Sequence, residues 1–382
     1  MANDRVHFLD GLRGWGALSV LLCHAFVDVF PVDGASKNLL SQTFLFNGTF
    51  AVWVFFIVSG YSLSIHFCET REGTGLKRMF VGRYFRLAVP ILIVSLLVWA
   101  SSNLGLIPDV EKRQGRLNEF LVATPSIGDT VAFSLYGVFF AYKPSQTLVP
   151  PLWTMTYEIW GSFLVLALLA LVGKLGKRWV VYAILGVVTY HINPMYAAFL
   201  VGLLLAELHA SGLLMTHEKT ANRLSTMLFP GILLLATFLP GSDTTLYPDV
   251  FLTLSASFVT CVLLNKSLTG FFSNTVSRWL GTISFPLYLI QAPVFFVVTL
   301  NLYNSVERSV LAAIVINLAT LLIALALARG LVFADVLGIK TARFLGRHFV
   351  ANLPSAQAQA ILGDTSMPLR ALSLHPRQAE RK

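Results

Sequence analysis

Charge is what this sequence has least of. Asp, Glu, Lys and Arg supply 12% of its 382 residues, about half the share usual in soluble domains, while hydrophobic residues supply 55%. That imbalance excludes an ordinary water-soluble protein and places the chain in a bilayer. Cysteine is scarce too. Cys23, Cys68 and Cys261 lie in or at the end of apolar runs without ligand-like spacing, which excludes a disulfide framework and a zinc site. No His, Asp or Glu cluster has metal-ligand spacing, so no metal is expected. A cleavable leader is missing: the first apolar run is too long, contains Arg13 and His24, and lacks a small-residue cleavage site. No repeat of 20–50 residues is apparent. The net charge of +9 sits in short loops between apolar runs, as in cytoplasmic loops, so no nucleic-acid partner is expected.

What is present is a succession of apolar runs of bilayer-crossing length. They predict an all-α polytopic membrane protein of about ten transmembrane helices, near residues 12–30, 49–68, 87–104, 152–172, 179–192, 195–210, 224–240, 250–265, 280–300 and 309–329. With both termini cytoplasmic, the inner loops hold Lys77, Arg78, Arg83, Arg86, Lys174, Lys177, Arg178, Lys219, Arg223, Lys266 and Arg278, in keeping with the positive-inside bias. Counting 128–142 as a further span would move the Lys174–Arg178 group outside, so it is read as a partly inserted or periplasmic element. The membrane domain is expected over 1–330, with segment 105–151 on the outer face. A connection that long suits acceptor binding or a plain linker. Residues 331–350 mix apolar and basic positions and read as an interfacial helix; 351–382 read as a disordered cytoplasmic tail.

Ionisable groups inside the apolar runs are costly and call for a reason. Arg13 and His24 are eleven residues apart, which returns a helix to within about 20° of the same face at ~16 Å along its axis; Asp10 lies near that face. One stripe thus carries a cation on the cytoplasmic side and a mid-membrane imidazole, the makings of an anion-binding residue and a proton acceptor. A snorkelling Arg and a His in a helix contact are the bland reading. Arg83 and Arg86, one turn apart before the third run, could grip a diphosphate or simply mark a cytoplasmic loop. Glu158 sits at a depth like that of His24 and could orient it, or could pair with a packing donor. Glu207 and His209 are expected to face headgroups. Ser59, Gly60 and Ser62 suit close helix packing. Trp153, Tyr157 and Trp160 suit an interfacial aromatic belt or stacking on sugars.

In chain order, FLDGLRGWGALSVLLCHAF, FFIVSGYSLS, RYFRLAVP, LWTMTYEIWG and ISFPLYLIQAPVF resemble the conserved blocks of the acyltransferase-3 family, integral-membrane enzymes that modify surface glycans. The resemblance covers most of residues 5–300. It implies an acyltransferase with His24 essential to catalysis, Glu158 at the family's acidic position, and Arg83 and Arg86 serving cytoplasmic acyl-CoA, with Arg13 on the same functional helix as His24. Acyl-CoA, foremost acetyl-CoA, would be a co-substrate, with no permanently bound cofactor. The acceptor would be a hydroxyl of a surface or exported polysaccharide or oligosaccharide, and the location a bacterial inner membrane. Ser59, Trp153, Tyr157, Gln291 and Asp10 are candidate acceptor or packing contacts. Direct transfer and a transient acyl-His both stay open, as do a small secreted acceptor and a transporter or flippase without acyl transfer. Three features depart from the family pattern: Gln291 stands where His is frequent, the Trp block reads Thr154-Met155 with a single following Glu, and no hydrolase-like C-terminal extension is expected after the last run.

Overall fold

The computed structural model describes residues 4–28, 43–73, 75–113, 115–215, 218–239, 247–307 and 309–351. All regular structure among them is helical. The principal helices are α1 (Asp4–Cys23), α2 (Gly48–Thr70), α3 (Leu76–Asn103), α4 (Ile127–Ala132), α5 (Thr154–Val172), α6 (Arg178–Ile192), α7 (Pro194–Ala210), α8 (Glu218–Thr237), α9 (Pro248–Leu264), α10 (Lys266–Phe272), α11 (Thr275–Val294) and α12 (Val310–Ala351). A π turn, His24–Asp28, continues α1, and another, Phe295–Thr299, continues α11. The second follows Pro293, whose missing N–H and ring clash leave the helix one bond short.

A helix stands at each of the ten expected positions, and the chain is a multi-pass membrane protein. By length and apolarity five helices can cross a bilayer, or six if α9 and α10, bent by 99°, count as one span. This falls short of the expected ten for stated reasons. Helices α6 and α7 have 15 and 17 residues, and α1 and α8 carry ionisable groups such as Asp10, Arg13, Lys219 and Arg223. Residues 127–140 form a short apolar helix packed on α3 and α5. No break occurs near residue 330: α12 runs for 42 residues, so the last apolar run and the basic segment of 331–350 share one axis. The expected tail lies outside the described residues.

Six helices close a ring in which each packs on the next: α1, α11, α12, α3, α5, α2 and back to α1. Helix α7 packs on the outside of α2, with α6 beyond it, and α8 and α9 pair alongside. The α2–α7 crossing is very close. A methyl group at Gly60 would lie 2.0 Å from the Phe199 carbonyl oxygen, and one at Gly202 would lie 2.1 Å from that of Ile57. Without a water-driven force between helices, such close backbone approach is what binds them. Gly60→Ala should therefore force α7 away from α2 and cost about 1–3 kcal/mol, read as a lower melting temperature of the purified protein in detergent. An unchanged melting temperature would contradict this packing.

Candidate functional site

The sequence blocks meet inside the ring through side-chain bonds. Arg13 of α1 donates from Nη2 to Ser62 Oγ of α2 at 2.6 Å and lies 3.6 Å from Asp10 through Nη1. Ser59, one turn before Ser62, donates to Glu158 Oε1 of α5 at 2.8 Å. Arg83 of α3 bonds that same Oε1 and donates from Nε to Ser162 Oγ at 2.9 Å. Tyr288 of α11 shares a 2.7 Å bond with Thr154 Oγ1 and donates to the Pro151 carbonyl at 2.6 Å, which links opposite sides of the ring. Arg13 also feels the charges of Arg86 and Glu158, and Asp335 of α12 feels Arg86. Arg13, Arg83 and Arg86 thus converge, each with a carboxylate in electrostatic reach. The Arg83–Glu158 pair is the most enclosed, with both side chains 11% exposed; Arg86 is exposed.

His24 stands farther along α1 as the first residue of its π turn, a departure from α-helix that often marks functional positions. Its Nε2 lies 3.9 Å from Asp28 Oδ2, and its ring centroid is 6.4 Å from that of Phe295 in the π turn after α11. Both His24 and Arg13 side chains are 26% exposed. Segment 115–119 touches the His24 turn, and Arg113 lies over the Phe296 ring at 5.9 Å while donating to the carbonyls of Pro108, Phe120 and Leu121. Burial lowers the Arg113 pKa and Asp109 opposes that shift. The long connection therefore lies against the imidazole end of the site.

The structure separates two residues expected together. Glu158 bonds Ser59 and Arg83 rather than His24. The depth count assumed that both helices start at one level, but Thr147, Leu148, Val149 and Leu152 are buried, so the chain is already inside the protein before α5 begins. The carboxylate beside His24 is Asp28, which the reading of the sequence passed over although it lies four residues on. Asp335 was also missed, because a lone acid in a basic amphipathic segment drew no attention. Of the remaining candidates, Trp153 and Tyr157 stack edge to face at 5.9 Å, with Tyr196 5.6 Å from Tyr157. Gln291 is fully buried; its amide donates to the Tyr288 carbonyl at 2.8 Å, and its Oε1 has no partner. Glu207 and His209 do not face headgroups. Glu207 is buried between Arg71, which grips it with two bonds of 2.8 and 2.9 Å, and Arg178; His209 bonds Tyr61. That cluster clamps α2, α6 and α7 at one end. An apolar groove of about 520 Å³ between α7, α8 and α9 holds none of the residues above. Among the described residues no cluster fit to hold a metal ion occurs.

A family model described as an acyltransferase domain matches residues 6–329. No curated protein and no solved structure matches the chain. The matched range includes every residue of the arginine and imidazole sites except Asp335.

Proposed function

This chain belongs to the acyltransferase-3 family, and from that premise we propose that it moves an acyl group, foremost acetyl, from cytoplasmic acyl-CoA to a hydroxyl of a cell-surface or exported glycan, across a bacterial inner membrane. One observation carries the reading: three arginines from two helices gather at one level of a closed ring, and a partly exposed imidazole stands ~16 Å farther along the same helix face. Acyl-CoA phosphates cannot cross lipid, so the donor must offer its thioester from below while its nucleotide stays at the mouth. An extended pantetheine arm covers the distance between the two sites.

In this mechanism His24 accepts the proton of the attacking hydroxyl. The hydroxyl oxygen forms a bond to the thioester carbonyl carbon, the carbon–sulfur bond breaks, and the CoA thiolate takes the proton back. Positive charge on the ring is transient, and Asp28 is placed to stabilise it. Glu158 acts elsewhere, holding Arg83 and Ser59 in place at the donor end. The stacked Trp153, Tyr157 and Tyr196 offer aromatic faces of the kind that pack on sugar rings, which supports a glycan acceptor.

The test is transfer of label from radioactive acetyl-CoA into glycan by membranes containing the protein. Label that stays in acetyl-CoA, with glycan appearing on the outer face unmodified, would favour a flippase instead. Within the mechanism, Asp28→Asn should leave the protein in the membrane and slow transfer on the order of tenfold, because only the charged transition state loses support. Wild-type rates in initial-velocity assays would remove Asp28 from the mechanism.

A further inference from the structure

The arginine cluster is largely spent on its own surroundings. Arg13 lies 3.6 Å from Asp10 and Arg83 bonds Glu158, so two of the three cations already hold carboxylates. A nucleotide bearing several phosphates would find one uncommitted guanidinium there, that of Arg86. Recognition of such an anion calls for guanidinium groups without a carboxylate of their own.

Helix α12 supplies them. It runs antiparallel to α3 in a register that three small residues define. A methyl group at Gly338 would lie 2.9 Å from the Arg86 carbonyl oxygen and 3.0 Å from Pro90 Cδ, one at Gly82 would lie 3.5 Å from Ala342 Cβ, and one at Gly346 would lie 3.0 Å from Arg78 Cγ. Ala342 therefore opposes Gly82. Arg83 and Arg343 each follow that contact by one residue, so each is turned about 100° from the line joining the axes. Because the helices are antiparallel, both turns go to the same side. The Arg83 bonds to Glu158 and Ser162 identify that side as the one facing α5 and the ring interior. Along the axis Arg343 lies about 3 Å from Arg83 and Arg347 about 9 Å, both toward the start of α3. Both are exposed. They also lie beyond residue 329, where the family match ends.

We propose that Arg343 and Arg347 form an outer phosphate-binding step, which holds the nucleotide phosphates of the acyl donor just outside the Arg13–Arg83–Arg86 cluster. This rests on the acyl-CoA reading above. Phosphate is also the headgroup chemistry of anionic lipids, and the experiment separates the two sources. The paired variant Arg343→Ala with Arg347→Ala is reconstituted in vesicles of phosphatidylcholine alone, and KM is measured for acetyl-CoA and for acetyl-pantetheine, which lacks the nucleotide. The KM for acetyl-CoA should rise by about tenfold or more, as loss of charge-assisted hydrogen bonds requires. The KM for acetyl-pantetheine and the kcat for both donors should stay as in the wild type, and the Arg343→Lys, Arg347→Lys pair should recover part of the loss. An unchanged acetyl-CoA KM would overturn the proposal. So would a change confined to vesicles containing phosphatidylglycerol, which would make lipid headgroups the occupant. A wild-type protein inert with both donors would instead bring down the acyl-transfer reading, and this proposal with it.

Discussion

His24→Ala should lower acyl transfer by about 10²–10⁴-fold in membranes where the protein accumulates to its wild-type level. The His24 side chain is 26% exposed and lies beside Asp28 and Phe295, so its removal empties no packed core. Accumulation should therefore hardly change, and KM for acetyl-CoA should stay within a few-fold, since the arginines proposed to bind the donor lie ~16 Å or more along the bundle. A loss confined to kcat is the signature of a group that acts in the transition state. If the variant transferred label at the wild-type rate, the imidazole would have no part in the chemistry and another base would have to be sought among the groups lining the ring.

The second large effect concerns Arg83 and Glu158, and it separates folding from function. Glu158→Leu would leave the Arg83 guanidinium, 11% exposed, without its counter-charge, and Arg83→Leu would strand the carboxylate. Breaking one partner of a buried pair costs about 3–5 kcal/mol. Either single change should thus sharply reduce the protein recovered from membranes. The double variant, Arg83→Leu with Glu158→Leu, buries no lone charge and should accumulate close to the wild type. It should nonetheless transfer no acyl group, because the donor end has lost the cation that bonds Ser162 and the carboxylate that bonds Ser59. Immunoblots of membranes and the label-transfer assay read the two quantities separately. An active double variant would reduce the pair to a structural clasp.

The fold and the site were legible to different depths. Apolar run lengths located ten of the helices, of which five, or six with α9 and α10 joined, are long and apolar enough to cross a bilayer. Convergence of Arg13, Arg83 and Arg86 was half legible: eleven- and three-residue spacings set each residue on its helix face, but which faces meet depends on packing. The partner of Glu158 was not legible. Its depth was counted from where α5 begins, and the buried approach through Thr147–Val149 shifts that origin. Asp28 could have been found from its four-residue spacing to His24. The π turn that brings it there carries no pattern in the residues themselves.

Composition and spacing alone determined that this chain lies in a membrane as helices, and that one stripe of its first helix carries a cation and an imidazole, since both follow from local periodicity and the cost of charge in lipid. Only the tertiary structure decided that Glu158 answers Arg83 and that α12 lies antiparallel along α3, with Gly82 against Ala342. Those contacts join residues 75 and 260 positions apart in the chain (158 − 83 and 342 − 82). At such separations no helical period links one residue to the other, and the backbone contacts of helices that meet at glycines choose the partners.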